Sequence, residues 1–229
     1  MRPCAIVCAG NGRRGWISGL AATLALTAWA VSAAAASLVV KVTRPDGKPV
    51  AGAVVLLHGP PGSKSPPPAT FIVDQVSQTF TPDLTVIPVG STVTFPNSDK
   101  VSHQVYSFSP TKRFQLPLYR GTPYAPITFT NAGIVVLGCN IHDDMIAYLV
   151  VTNAGRFGRT SQDGSWSSTD LPAGDYRIAV WHPRMREATE MVERPLKLES
   201  AVSARLDVQL TRSLRPEPLG LKPRSWSDY

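Results

Sequence analysis

The chain has little cysteine, three residues in 229. Cys4 and Cys8 fall in the first ten positions, so everything beyond them holds a single thiol, Cys139, which cannot close an internal disulfide. A lone cysteine in an exported protein is informative as a metal ligand or a reactive group. After residue 31 no apolar run is long enough to span a bilayer, and there is no long amphipathic helix, internal repeat or glycine-rich phosphate loop. These absences argue against a membrane-spanning helix beyond residue 31 and against the coiled-coil, solenoid and nucleotide-binding classes. Lys and Arg outnumber Asp and Glu by 23 to 16. They are scattered, without the basic, aromatic-laced patch of a nucleic-acid binder.

Residues 1–36 read as an export signal. Arg2, Arg13 and Arg14 make a basic start, Trp16 to Val31 is apolar, and Ala34-Ala35-Ala36 supplies small residues for cleavage. The mature chain is expected to begin near Ser37 in the periplasm, with no membrane span. Arg13-Arg14-Gly-Trp-Ile is a weak twin-arginine pattern, and an ordinary secretory leader is the better reading. Loss of three arginines and no acids lowers the formal net charge from +7 to +4.

What remains is organised around Gly138-Cys139-Asn140-Ile141-His142-Asp143-Asp144-Met145, set between the apolar runs Ile134 to Leu137 and Ile146 to Val151. A thiolate, an imidazole and a thioether spaced Cys-x-x-His-x-x-Met can converge on one ion if the backbone makes a tight loop. Such a soft donor set suits copper. The flanking runs are too short for helices and read as two strands joined by the ligand loop. A trigonal site needs a second imidazole, for which His103 is the candidate. A zinc site is disfavoured, because structural zinc closes with Cys and His and not with thioether sulfur. A Cys139 nucleophile with a His base and Asn97 as orienter fails on context, since this Cys lies between strands and not at a helix start.

Together with Gln78-Thr-Phe80-Thr-Pro82, Val89-Gly90-Ser-Thr-Val93-Thr-Phe95, and Asn97 six residues before His103, these residues resemble the cupredoxins, most nearly the amicyanin and pseudoazurin type. The resemblance covers roughly residues 71 to 152. It implies a Greek-key β-sandwich with one type 1 copper held by His103, Cys139, His142 and Met145. It also implies that Asn97 braces the Cys loop by hydrogen bonds, and that single electrons pass between periplasmic redox partners, with His142 as the exit. Some proteins that join such a domain to a second sandwich are labelled methylamine-utilisation proteins, a name that implies an electron acceptor for an amine dehydrogenase, and nothing in this sequence identifies that partner. Asp143 and Asp144 depart from the usual apolar or Pro surroundings of the loop His; they favour the oxidised ion and repel an acidic partner.

The rest of the chain reads as all β. Leu38 to Thr43, Asp46-Gly47 and Val50 to Leu57 form a strand, a turn and a strand, read as a hairpin. This hairpin, with Asp163-Gly164-Ser-Trp166, Asp170 to Trp181 and Ala201 to Leu210, is similar to the carboxypeptidase regulatory-like module, a transthyretin-like sandwich. The expected organisation is therefore a signal at 1–36, the first hairpin at 37–58, a Pro-rich linker at 59–70, the copper domain inserted at 71–153, the rest of the sandwich at 154–212 and a disordered tail at 213–229. Strand signals fall at 71–80, 84–88, 91–96, 103–108 and 127–130. Residues 109–126, with four prolines, read as a loop whose Lys112, Arg113 and Arg120 are solvated or form a basic lip. The competing function is a copper-binding, assembly or storage module docked through its sandwich, with His182, Met185 and Met191 as a second site; those residues read better as structural, and His58 as solvent-facing.

Overall fold

The structure, a computed structural model, describes residues 35–187 and 190–216. Residues 1–34 of the proposed leader, with Cys4 and Cys8, and tail residues Trp226 and Tyr229 lie outside the described residues. Among the described residues every regular element is a strand, and no helix is long and apolar enough to cross a membrane.

The first sandwich is built from both ends of the described chain. Strand β1 (Ala36–Thr43) alternates, with Ala36, Leu38, Val40 and Val42 facing inward, and it lies between β14 (Ser165–Leu171), antiparallel, and β17 (Ser203–Gln209), parallel. The facing sheet runs β13 (Arg156–Arg159), β2 (Val54–His58), β15 (Gly174–Trp181), β16 (Val192–Leu198), all antiparallel. The apolar run of β2 is buried over Val54 to Leu57, as expected of an interior strand. Trp181, fully buried, fills the core with Leu38, Leu57 and Ile178.

The hairpin expected over 37–58 is corrected by this arrangement. Gly47, at φ 79°, closes the turn, and Val42 and Val50 still share a hydrogen bond, but Gly52, at φ 72°, bends the chain away. Strands β1 and β2 then enter opposite sheets. Strand β16 is an edge strand, which is why it tolerates Pro195.

The second sandwich holds β6 (Leu84–Pro88), β12 (His142–Thr152), β11 (Gly133–Cys139), β8 (His103–Ser107) and β9 (Phe114–Tyr119) in one sheet. Facing it are β10 (Ile127–Thr128), β7 (Thr92–Thr94) and β3 (Thr70–Ile72), with the small hairpin of β4 (Asp74–Val76) and β5 (Thr79–Thr81) at one end. Successive strands cross repeatedly between sheets, in the Greek-key manner. The single strand signal at 71–80 is broken by the turn at Ser77 and Gln78, both at positive φ. The loop expected at 109–126 contains β9, the edge strand beside β8, which turns Phe114, Leu116 and Tyr119 toward the core despite Pro117.

Strand β12 serves both bodies. Ala147, Leu149 and Val151 face the core of the second sandwich, whereas Tyr148 and Val150 join Leu84, Val86 and Ile134 in packing on the first. The Tyr148 ring meets Trp181 edge-on at 5.3 Å. The Pro-rich segment is not free: Ser65 Oγ donates to Ala154 O at 3.2 Å, and Pro60 packs on Gly174.

Candidate metal centre

Cys139 ends β11 and His142 begins β12, with the two residues paired across a register break. The hairpin thus makes its tightest turn where the donors are needed. Its flanks are held by the ladder from Gly133↔Val151 to Gly138↔Ile146. His103 opens β8, next to β11 in the same sheet, and is fully buried.

The sheet order brings three of the residues named from the sequence together. One donor atom from each of His103, Cys139 and His142 lies within 4.8 Å of the others. Cys139 Sγ stands 4.0 Å from His103 Nδ1 and 3.9 Å from His142 Nδ1. With metal–nitrogen and metal–sulfur bonds of roughly 2.0 and 2.3 Å, a trigonal ion holds N and S about 3.7 Å apart. The donors therefore fit one small ion with little adjustment. The imidazole rings sit edge to face at 4.9 Å. Met145 is buried at 1% exposure in the core that contains Cys139, one face-alternation before Ala147 on β12.

Sequence reasoning missed Asp99. Its Oδ2 accepts from His103 Nε2 at 2.8 Å, which puts the imidazole proton on Nε2 and leaves the Nδ1 lone pair facing Cys139. The same carboxylate caps the β4–β5 turn, accepting from Ser77 N at 2.8 Å and Gln78 N at 2.7 Å. Burial opposes the charge on Asp99, but the amide of Gln78, the His103 N–H and the amide of Ser77 outweigh it and hold its carboxyl below the usual range. A signal was available: an acid four residues before a candidate ligand His, in a loop too short to let it escape.

Asn97 corrects an expectation. Its Nδ2 donates to Val101 O at 3.0 Å and Tyr119 O at 2.8 Å, and its Oδ1 accepts from Asp99 N at 3.0 Å. The side chain therefore braces the loop that delivers Asp99 and His103, not the Cys loop. Below it Gln75 Nε2 donates to Tyr119 Oη at 2.6 Å, and Tyr119 donates to Phe95 O at 2.6 Å. Burial pushes the Tyr119 phenol up to about 12, so it stays a neutral donor.

His142 is half-buried, and desolvation, then the nearby His103, lower its pKa, favouring the neutral form a metal takes. Asp143 and Asp144 are exposed. His182, 8% exposed, accepts from Arg184 N on Nδ1 at 3.1 Å and bonds the backbone of Ala51, while Met185 Sδ accepts from His182 N at 3.2 Å. The His182 ring is thus used within the fold.

An all-β Greek-key sandwich with a His, Cys, His cluster at one end, two of its members buried, is the architecture of a cupredoxin-like body, and it occupies part of this chain. No protein-family model matches the sequence, and no curated protein does. Among solved structures, the chain is similar to a purple cupredoxin from Nitrosopumilus maritimus, with 22% identity over 35% of this chain and 98% of that one, at a TM-score of 0.32. An amicyanin in its reduced state is 29% identical over 42% of this chain and 99% of its own, at 0.32. A copper-containing nitrite reductase from Thermus scotoductus SA-01 is 29% identical over 48% of this chain but only 28% of its own, at 0.34.

Proposed function

We propose that this is a periplasmic type 1 copper protein that accepts single electrons from one redox protein and delivers them to another. The observation that carries the proposal is the placing of two imidazole Nδ1 atoms 4.0 and 3.9 Å from a buried thiol sulfur. Bound copper would supply the redox step by alternating between its two oxidation states, with no bond to a substrate made or broken. The chain's part is to hold the donors rigid. Cys139 provides the desolvated thiolate, His103 and His142 complete the plane, and Met145 is the weak axial donor. Asp99 keeps His103 in one tautomer and orientation. His142, half-buried at the start of β12, is the electron's exit. No residue is assigned a catalytic role, and the partners are redox proteins of the same compartment.

In this proposal residues 71–153 are a copper domain inserted into a regulatory-like sandwich made of 37–58 and 154–212, joined through the segment 59–70. Export through residues 1–36 places the protein in the periplasm. Pairing of β1 and β2 with strands from the far end of the chain supports the discontinuous arrangement. The competing storage or assembly reading has less support, because a second, transfer-type site would need a His182 ring that is already engaged.

The test is the visible spectrum of the purified protein with Cu(II), beside Cys139→Ser. An intense thiolate-to-copper charge-transfer band, lost in the variant, is expected. Copper bound without that band would replace electron transfer by storage or assembly as the function, and no binding at all would leave only the fold.

A further inference from the structure

The sheet that carries Cys139 has an outer face that is only half covered. Toward one end, Leu84, Val86, Ile134, Tyr148 and Val150 pack into the first sandwich. Toward the other, the same apolar face continues through the half-buried Val136 and Tyr106 to the exposed Ile146 and Phe108. Ile146 is 48% exposed and Phe108 68% exposed, unusual for side chains of this size beside a buried centre.

A cleft of about 330 Å³ opens in this bare half, between Tyr106, Phe108, Asp143 and Ile146, with Gly138 and Cys139 in its wall. Its shape depends on Gly138, since a Cβ there would stand 2.8 Å from the Tyr106 ring. Phe108 stacks against Tyr106 at 5.0 Å beside the cleft and projects from the sheet. Knob and hole are therefore neighbours on one surface.

The charges at the ends of the patch are opposite. At the metal-loop end stand Asp143, which lines the cleft, and Asp144, both exposed. At the other end the turn after Phe108 carries Lys112 and Arg113. It is tied to the start of β11 by Val136 N donating to Ser109 Oγ at 2.9 Å and by Asn131 Nδ2 donating to Thr111 O at 3.5 Å. An apolar centre with an acidic end and a basic end suits neither an anionic lipid surface nor a partner of uniform charge. It does match a copy of itself turned through a two-fold axis, where each acidic end meets the other copy's basic end.

We infer that this half-face is a self-association surface, and that its occupant is a second copy of the chain. Phe108 of each copy enters the cleft of the other, over Gly138 and beside Cys139, while Lys112 and Arg113 face Asp143 and Asp144. The two thiols are brought close through this interface, and each copy shields the other's cleft from water. The inference rests on the surface alone and stands whether or not copper is the occupant of the centre.

Sedimentation velocity of the metal-free protein from micromolar to submillimolar concentration is the test. A reversible monomer–dimer equilibrium is expected, weakened at least about tenfold by Phe108→Glu and by raised salt. Circular dichroism confirms that the variant folds. The double variants Lys112→Glu/Arg113→Glu and Asp143→Lys/Asp144→Lys should each be monomeric alone and form a heterodimer when mixed; with a wild-type homodimer, this pattern requires the acidic end of one copy to face the basic end of the other. A wild-type chain monomeric throughout overturns the inference. So does a dimer indifferent to Phe108, or a face that takes up only vesicles or an unrelated protein.

Discussion

Asp99 decides more about the centre than its place outside the donor set suggests. It fixes His103 through Nε2 and ties that imidazole to the β4–β5 turn through the amide of Gln78, 21 residues before Asp99. In Asp99→Asn the amide cannot serve the same donors with both its ends, so His103 is freed to rotate. Loss of such a carboxylate behind a ligating imidazole costs about 10- to 100-fold in metal affinity. In the proposed copper site, removing a negative charge beside His103 also destabilises the more highly charged state of the ion, so the reduction potential should rise. Competition titration with a chelator and a redox titration measure the two effects, and no change in either would show that Asp99 only closes the turn. His182 offers a second prediction at this scale. Burial, then the neighbouring Arg184, lower its pKa to about 4 from 6.5. Between those values the unfolded chain binds the extra proton, so this contribution is present above pH 6.5 and is lost as pH falls toward 4, on the order of 2 kcal/mol after allowance for partial solvent screening. Urea unfolding should show stability falling across that window, with a shallower fall in His182→Gln.

Among the elements, the β11–β12 hairpin was legible because two Val- and Ile-rich runs flank a short polar loop, a local pattern. The ligand loop and the candidate residues His103, Cys139 and His142 followed from it. Strands β9 and β16 were not legible, because Pro117 and Pro195 interrupt them and are tolerable only at a sheet edge, which is a property of the tertiary arrangement. The partner of Asn97 was hidden for the same reason: Tyr119 O comes within reach only once β9 pairs with β8. Strand β9 is pinned from its buried end by Tyr119, whose hydroxyl donates to Phe95 O and accepts from Gln75. Tyr119→Phe takes the hydroxyl donor from the buried Phe95 carbonyl and leaves the Gln75 amide with only its bond to Pro96 O, at a cost of about 1–3 kcal/mol. Equilibrium urea unfolding gives the number. A loss under a few tenths of a kcal/mol would mean that Gln75 and the Phe95 carbonyl find other partners.

For the whole molecule, the decisive feature is that the cupredoxin-like body is finished by residues far from it in sequence. Leu84, Ile134 and Val150 are at most 4% exposed, yet they belong to the core of the first sandwich, not to that of the second. Cut out as residues 71–153, this body would expose those three side chains together with Val86 and Tyr148, a contiguous apolar strip of the kind that drives association. The isolated segment should therefore aggregate, or unfold at markedly lower denaturant than in the intact chain, even though its own core is complete. The intact protein should in turn unfold in one transition, because β12 lines both cores and neither can open without the other losing a wall. Two probes report on the two bodies separately. Fluorescence of Trp181 follows the first, once Trp166→Phe and Trp226→Phe remove the other indoles beyond the leader, and the absorbance of a bound thiolate-reporting metal such as Co(II) follows Cys139 in the second. Coincident midpoints are expected. If the metal signal is lost first while Trp181 remains buried, the shared strand does not couple the bodies, and the packing of Tyr148 on Trp181 is a contact between independently stable units.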